Sequence, residues 1–184
     1  MTMDTLSLVK PDQAYLEQIA DFRREFLAAG SSMDGCGPLH RMEDPMEWLL
    51  EREAASRLET LPPGRVLSTQ MLCVRETDGR LVGMIQLRRV LNDYLRKYAG
   101  HIGYSVRPSE RGKGYGTWML GAMLPVCRSA GLEKIMVACL DTNPASRSII
   151  RAWGGIYDRT VHEPEEDVNL EQYWIDLLRP AECQ

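Results

Sequence analysis

The chain has 184 residues, 44% hydrophobic and 26% charged, which suits a single domain over residues 1–184 with a sizeable buried core. A net charge of −4 excludes a general attraction to nucleic acid or to anionic membranes, so any anion binding must come from a local cluster. The first residues, "MTMDTLSLVKPDQAYLEQIADFRREF", hold no apolar run fit for a signal peptide or a membrane span. The five cysteines (Cys36, Cys73, Cys127, Cys139 and Cys183) lack C-x-x-C spacing and read as reduced thiols. A cytoplasmic protein with neither a nucleic-acid nor a membrane partner is the expectation, with a homodimer left open.

In chain order, Leu6 to Val9 is a short strand closed by Pro11. Apolar residues at Tyr15, Leu16, Ile19, Phe22, Phe26 and Leu27 predict a helix over 13–29, stopped by Gly30. "GSSMDGCGPLHRMEDP" is a loop that either connects or lines a pocket. Residues 46–58 are predicted as a second helix with Trp48, Leu49 and Leu50 inward. Strands at 66–75 and 81–91 are joined by Thr77-Asp78-Gly79-Arg80, a hairpin signal.

"HIGYSV" is a strand ending at Arg107-Pro108, where Arg107 reads as a solvated strand end. The helix that follows carries Met119, Leu120, Met123, Leu124 and Cys127 on one face, and Pro125 is expected to kink or break it. "KIMVACL" is apolar on both alternations, as a strand covered on both faces must be. Asn143 caps a Pro144-headed helix with Ala145, Ile149, Ala152 and Trp153 inward and Gly154-Gly155 as its stop. Strands at 156–161 and 172–178 flank "HEPEED". The order β-α-α-β-β-β-α-β-α-β-β is an α/β fold, a mixed central sheet with helices on both faces.

"VRPSERGKGYGTWML" carries the chemistry. Gly112, Gly114 and Gly116 strip side chains from a loop between a strand and a helix, and Arg111 and Lys113 add positive charge. A dinucleotide fingerprint fails because its third glycine position falls on Thr117, and a Walker A loop fails because Lys113 precedes Gly114 rather than a hydroxyl. What remains is a helix N-terminus whose free N–H groups and dipole suit a pyrophosphate.

Arg111-Gly112-Lys113-Gly114-Tyr115-Gly116, after a strand closing in V-x-P, resembles the R-x-x-G-x-G motif of the GNAT superfamily of N-acetyltransferases. Within it the chain is most similar to a bacterial group of predicted acetyltransferases sharing "HIGY.VRPSER.KGY". The resemblance implies the GNAT-like (acyl-CoA N-acyltransferase) fold, acetyl-CoA as co-substrate and an amine acceptor on a small molecule or protein. It also implies that the amides of Arg111, Gly112, Lys113, Gly114, Tyr115, Gly116 and Thr117 hold the pyrophosphate. Tyr104, Ser105 and Val106 would then pair with the pantetheine arm, and Asn143 would reach its amide in addition to capping its own helix. In the superfamily a bulge in this strand opens the gap for that arm, and the resemblance implies that it falls at Gly103. Tyr115 either packs or meets the adenine, packing being the simpler reading; Trp118 and Trp153 read as core.

The reaction needs a neutral amine, and a lysine-like acceptor with a pKa near ~10.4 is neutral in only about one molecule in ~10³ at pH 7. Many members of the superfamily place a carboxylate near the start of the fourth strand. Here that region reads Ala99-Gly100-His101, so His101 is the candidate base, with Asp93 behind it. The usual acid, a tyrosine of the last helix, is replaced by Ile150, which leaves Tyr157 as the candidate. The acidic run Glu163–Asp167 is a solvated turn or a lure for a cationic acceptor. An acyl-CoA-binding module without catalysis is the alternative function on the same fold.

Overall fold

Each strand finds its neighbours in one sheet. In the computed structural model, which describes residues 4–178, the strands are β1 (Leu6–Val9), β2 (Ser68–Arg75), β3 (Arg80–Arg88), β4 (Ile102–Val106), β5 (Lys134–Leu140), β6 (Ile156–Glu163) and β7 (Val168–Asp176). They lie in the order β1-β2-β3-β4-β5-β7-β6. The first four pair antiparallel, β4 and β5 run parallel, and β7 fills the space between β5 and β6. Cys183 lies outside the described residues.

Helices cover both faces, as their apolar stripes require. On one face α1 (Leu16–Ala28) and α2 (Pro45–Ala54) bury Ile19, Phe22, Phe26, Trp48 and Leu49 against Leu72, Val74, Leu81 and Met84. On the other, α3 (Tyr115–Ser129) and α4 (Pro144–Ala152) bury Met119, Leu120, Met123 and Ile150 against Val82, Ile85, Ile102 and Val137. The predicted inward residues Leu27 and Leu50 are 49% and 57% exposed, because each lies just off its helix's buried stripe.

Four further expectations are corrected. α3 continues through Pro125, so the helix is not broken there, its buried face holding it where a single missing backbone bond does not. In α4 the fully buried residue is Ile150, whereas Ala145 and Ala152 are exposed and line a cleft. β4 keeps an unbroken register against β3 from Ile102 to Val106, so Gly103 marks no bulge. It marks a close approach instead: a Cβ on Gly103 would stand 2.8 Å from the Gly35 backbone nitrogen. Last, Arg107 is no solvated strand end. It is 5% exposed, donates to the Leu81 carbonyl (2.8 Å), pairs with Glu25 (3.1 Å) and lies over the Phe22 ring.

Candidate active site

The sheet opens between β4 and β5. Those strands pair at Ile102↔Val137, with a bridge at Gly100↔Val137, and then separate. The antiparallel alternation on the other side of β4 is fixed by Arg88 N–H to His101 O and Arg107 N–H to Val82 O. Gly103 and Ser105 therefore bond to β3, and the backbone groups of Tyr104 and Val106 point into the gap. Ser105 leaves the expected pantetheine-pairing set on this ground; its hydroxyl turns away to the Asp34 carbonyl (2.7 Å). On the facing strand the Met136 carbonyl takes the His101 N–H, so by the same alternation Ala138 and Leu140 present their backbones to the gap.

The gap is part of a cleft of about 910 Å³ that runs to the N-terminus of α3. Among the described residues the N–H groups of Gly112 to Thr117 have no acceptor, whereas the Arg111 N–H, expected in the same set, donates to the Pro108 carbonyl (3.4 Å). Gly112 and Gly114 hold φ of 80° and 82°, and a Cβ at either would enter open space. Backbone donors, a helix dipole and bare glycine surface are what a pyrophosphate requires, so these residues fit coenzyme A. The third glycine serves packing: a Cβ on Gly116 would stand 2.7 Å from Ile149 Cδ1 of α4.

Side chains hold the loop from beneath. Glu110 is buried and meets Arg75 (2.9 Å), Arg80 (3.0 Å) and Lys113 (2.6 Å). The Lys113 side chain is thereby turned from the cleft, which leaves only its amide for a phosphate. Tyr115 is buried, and its hydroxyl takes an N–H from Arg75 (3.2 Å) and bonds to Asp4. Arg111 reaches back to the Val106 carbonyl (3.2 Å) and to Ser31 (3.3 Å). Asn143 Oδ1 accepts the Ser146 N–H (3.0 Å) as a helix cap while also lining the cleft.

Burial pushes the Glu110 carboxyl up, but Lys113 and Arg75 outweigh it and hold the group below the ordinary carboxylate range. A depressed folded-state value stabilises the fold above the unfolded value and ceases to do so as pH falls through the folded one. Glu110→Gln is therefore expected to lower the unfolding free energy by about 2 kcal/mol at pH 7, with Arg80 and Lys113 half exposed and screened by water. Urea titrations should show that difference shrinking as the pH drops below about 4.

The expected proton carriers do not line the cleft. His101 is 8% exposed, and its Nδ1 already accepts the Met136 N–H (2.9 Å), so in the neutral ring Nε2 carries the proton. Burial, aided by the Arg88 charge, lowers its pKa to about 4. His101 thus ties β4 to β5 and has no lone pair free for an amine. Tyr157 lies on β6, 49% exposed, its hydroxyl bonded to Thr160 (2.9 Å), and it does not line the cleft. Asp93 is exposed and does not line it either.

The cleft holds groups that sequence reasoning passed over. Tyr104 and Ser146 share a hydrogen bond of 2.7 Å between their hydroxyls, spanning from β4 to the first turn of α4. Burial, the largest influence, raises the Tyr104 pKa and keeps the phenol protonated. Tyr104 is expected from the sequence to act through its backbone alone, and nothing in the local pattern singles out Ser146, three positions after the Asn143 cap. At the far end stand Asp34, Arg88, Tyr94, Tyr98, Glu163 and Glu166. Glu163, read as part of a solvated turn, is 2% exposed and accepts the Glu166 N–H (2.7 Å).

These features define an acyl-CoA-dependent transferase, and the comparisons agree. The acetyltransferase (GNAT) family matches residues 38–154, more than half of the chain, so the chain belongs to that family and is an acetyl-CoA-dependent N-acetyltransferase. Its fold is similar to ribosomal-protein-S5-alanine acetyltransferase from Vibrio fischeri (TM-score 0.74, 14% identity, 98% of each chain covered). It is similar also to RimJ of Mycobacterium smegmatis in complex with CoA-disulfide (TM-score 0.70, 16% identity, 93% of this chain and 81% of that one). A third likeness is to the microcin C7 self-immunity acetyltransferase in complex with acetyl-CoA and AMP (TM-score 0.70, 15% identity, 94% and 93% covered). Among the described residues no helix is long and apolar enough to cross a membrane, and no group of His, Cys, Asp and Glu could hold a metal ion.

Proposed function

We propose that the chain, working as a single domain in the cytoplasm, moves an acetyl group from acetyl-CoA to the primary amine of an acceptor that enters the cleft beside Asp34 and Glu163. The observation that carries this reading is the parting of β4 and β5 in line with the free amides of α3. Bound there, acetyl-CoA supplies a thioester carbonyl open to attack by an amine. Gly112 to Thr117 hold its phosphates, and Tyr104, Val106 and Ala138 offer backbone groups to its amide-bearing arm.

Tyr104 supplies a hydroxyl proton to the leaving sulfur, with Ser146 steadying the phenol as charge builds. The carboxylates that line the cleft, Asp34, Glu163 and Glu166, are the residues present to take the amine's proton, directly or through water. The four described cysteines are free and buried, which suits a reducing compartment.

Gly114→Val is the direct test of the phosphate site. Valine disfavours φ near 82° and projects a side chain into space that the phosphates require, so affinity for coenzyme A should fall at least tenfold by calorimetry. A folded variant that binds coenzyme A like the parent would refute the assignment. Release of free thiol from acetyl-CoA over a panel of amines tests the reaction itself.

A further inference from the structure

We propose that the acceptor carries an anionic group beside its amine, that Arg88 at the end of β3 binds that group, and that the acceptor is therefore of the amino-acid type. The inference rests on the amine acetylation proposed above and concerns the acceptor half of the same cleft.

Arg88 differs from its neighbours in what it lacks. Arg52, Arg75 and Arg107 are buried or half-buried, and each meets a carboxylate. Arg88 is half-buried and lines the cleft, yet no carboxylate lies within ion-pair distance among the described residues, and the exposed Asp34 attracts it only from beyond contact. Its only bonds there run from Nη1, at 3.4 Å to the Ala99 carbonyl and 3.2 Å to the Gly100 carbonyl. Nε and Nη2, the two edges that grip a carboxylate, donate to nothing among the described residues.

Glu163 is the counterpart on the β6–β7 hairpin. It is 2% exposed, lines the same cleft and has no cation within ion-pair distance among the described residues. Its one bond, from the Glu166 N–H, uses a single oxygen. Burying a guanidinium with no carboxylate in contact is unfavourable, so an occupant that brings an anion to Arg88 and a hydrogen-bond donor to Glu163 is favoured at this end. A molecule offering an ammonium to Glu163 and a carboxylate to Arg88 does both.

A polyamine does not. Asp34 and Glu166 would welcome a second cation, but both are exposed and screened by water. The desolvated guanidinium of Arg88 repels a cation in a setting where water screens least.

The experiment uses the full chain with coenzyme A present. Thermal shift is measured with the common L-amino acids, with their carboxamides, which keep the amine and lose the anion, and with spermidine. At least one amino acid should raise the melting temperature while its carboxamide and spermidine do not. In thiol-release assays its kcat/KM should exceed that of the carboxamide at least tenfold. Arg88→Gln should bring that ratio close to one and weaken amino-acid binding by about 10- to 100-fold, with Arg88→Lys recovering part of it.

Equal binding of acid and carboxamide by the parent, a preference for spermidine, or an unchanged ratio in Arg88→Gln would each overturn the proposal. Arg88-dependent binding of amino acids without acetyl transfer would sink the proposed reaction and leave the anion site standing. Acetylation indifferent to the carboxylate would do the reverse. The comparison made on the parent needs no variant to fold.

Discussion

Gly35→Ala should lower the melting temperature by about 5–15 °C, corresponding to a loss of about 2–5 kcal/mol from overpacking and left-handed strain together. Gly35 holds φ of 69°, and a Cβ there would stand 1.9 Å from the Gly103 carbonyl oxygen. That atom belongs to a strand already bonded to β3, so it cannot move aside as a side chain would. The loop around Gly35 is also pinned: its carbonyl accepts from Gln70 (2.8 Å), the Asp34 carbonyl from Ser105 (2.7 Å), and the Cys36 carbonyl from Trp48 (2.7 Å). Gly30→Ala is the control, because φ is 60° but nothing lies within 4 Å of its Cβ. It should shift the midpoint by only the conformational part, about 1 kcal/mol. Equal shifts for the two variants would show that the Gly35–Gly103 contact does not restrain the loop.

Tyr104→Phe should reduce kcat on the order of 10²-fold while leaving coenzyme A affinity close to that of the parent, since only a hydroxyl is removed. Ser146→Ala should cost several-fold, because the phenol keeps its proton but loses its partner. Tyr157→Phe should stay within a few-fold of the parent. With the Tyr104 pKa raised by burial, this group does not begin to deprotonate until above the ordinary tyrosine value near ~10, so no alkaline fall in rate below that point belongs to it. Steady-state rates across a pH series check all three variants. A Tyr104→Phe enzyme with undiminished kcat would remove the tyrosine from the reaction.

Local pattern revealed more of the fold than of the site. The glycine loop, the Pro-headed α4 and the apolar β5 announce themselves within a few residues, and the structure contains each of them. β7 begins at Val168 rather than at 172 because Asn169 and Glu171 alternate with half-buried Val168 and Leu170, and the polar members masked the strand. The turn of π-helix at Leu95–Ala99 is too short for periodicity to register.

The misread site residues share a cause, which is that their partners are distant in sequence. Arg107 looks exposed until Glu25, 82 positions earlier, is brought against it. His101 looks like a base until the Met136 amide takes its free nitrogen. The Tyr104 hydroxyl gains its partner only when α4 delivers Ser146, 42 positions on. Sequence did show that Ile150 cannot be an acid, and its complete burial fits that.

The parting of β4 and β5 also bears on how the sheet guards its margins. A seven-stranded sheet ordinarily has two rims, and this one has four, because the inner flanks of β4 and β5 are rims as well. Exposed rims invite foreign strands. Here the interior pair is sheltered by α4 and by the loop that Gly35 lays across β4. The two halves of the sheet, β1–β4 and β5–β7, meet through the pairing at Val137 and the His101–Met136 clasp, with α3 and α4 spanning the seam. With the cleft empty, the strand pairing, the histidine clasp and the two helices are what keep the halves in register, so loosening His101 should be felt across the whole seam.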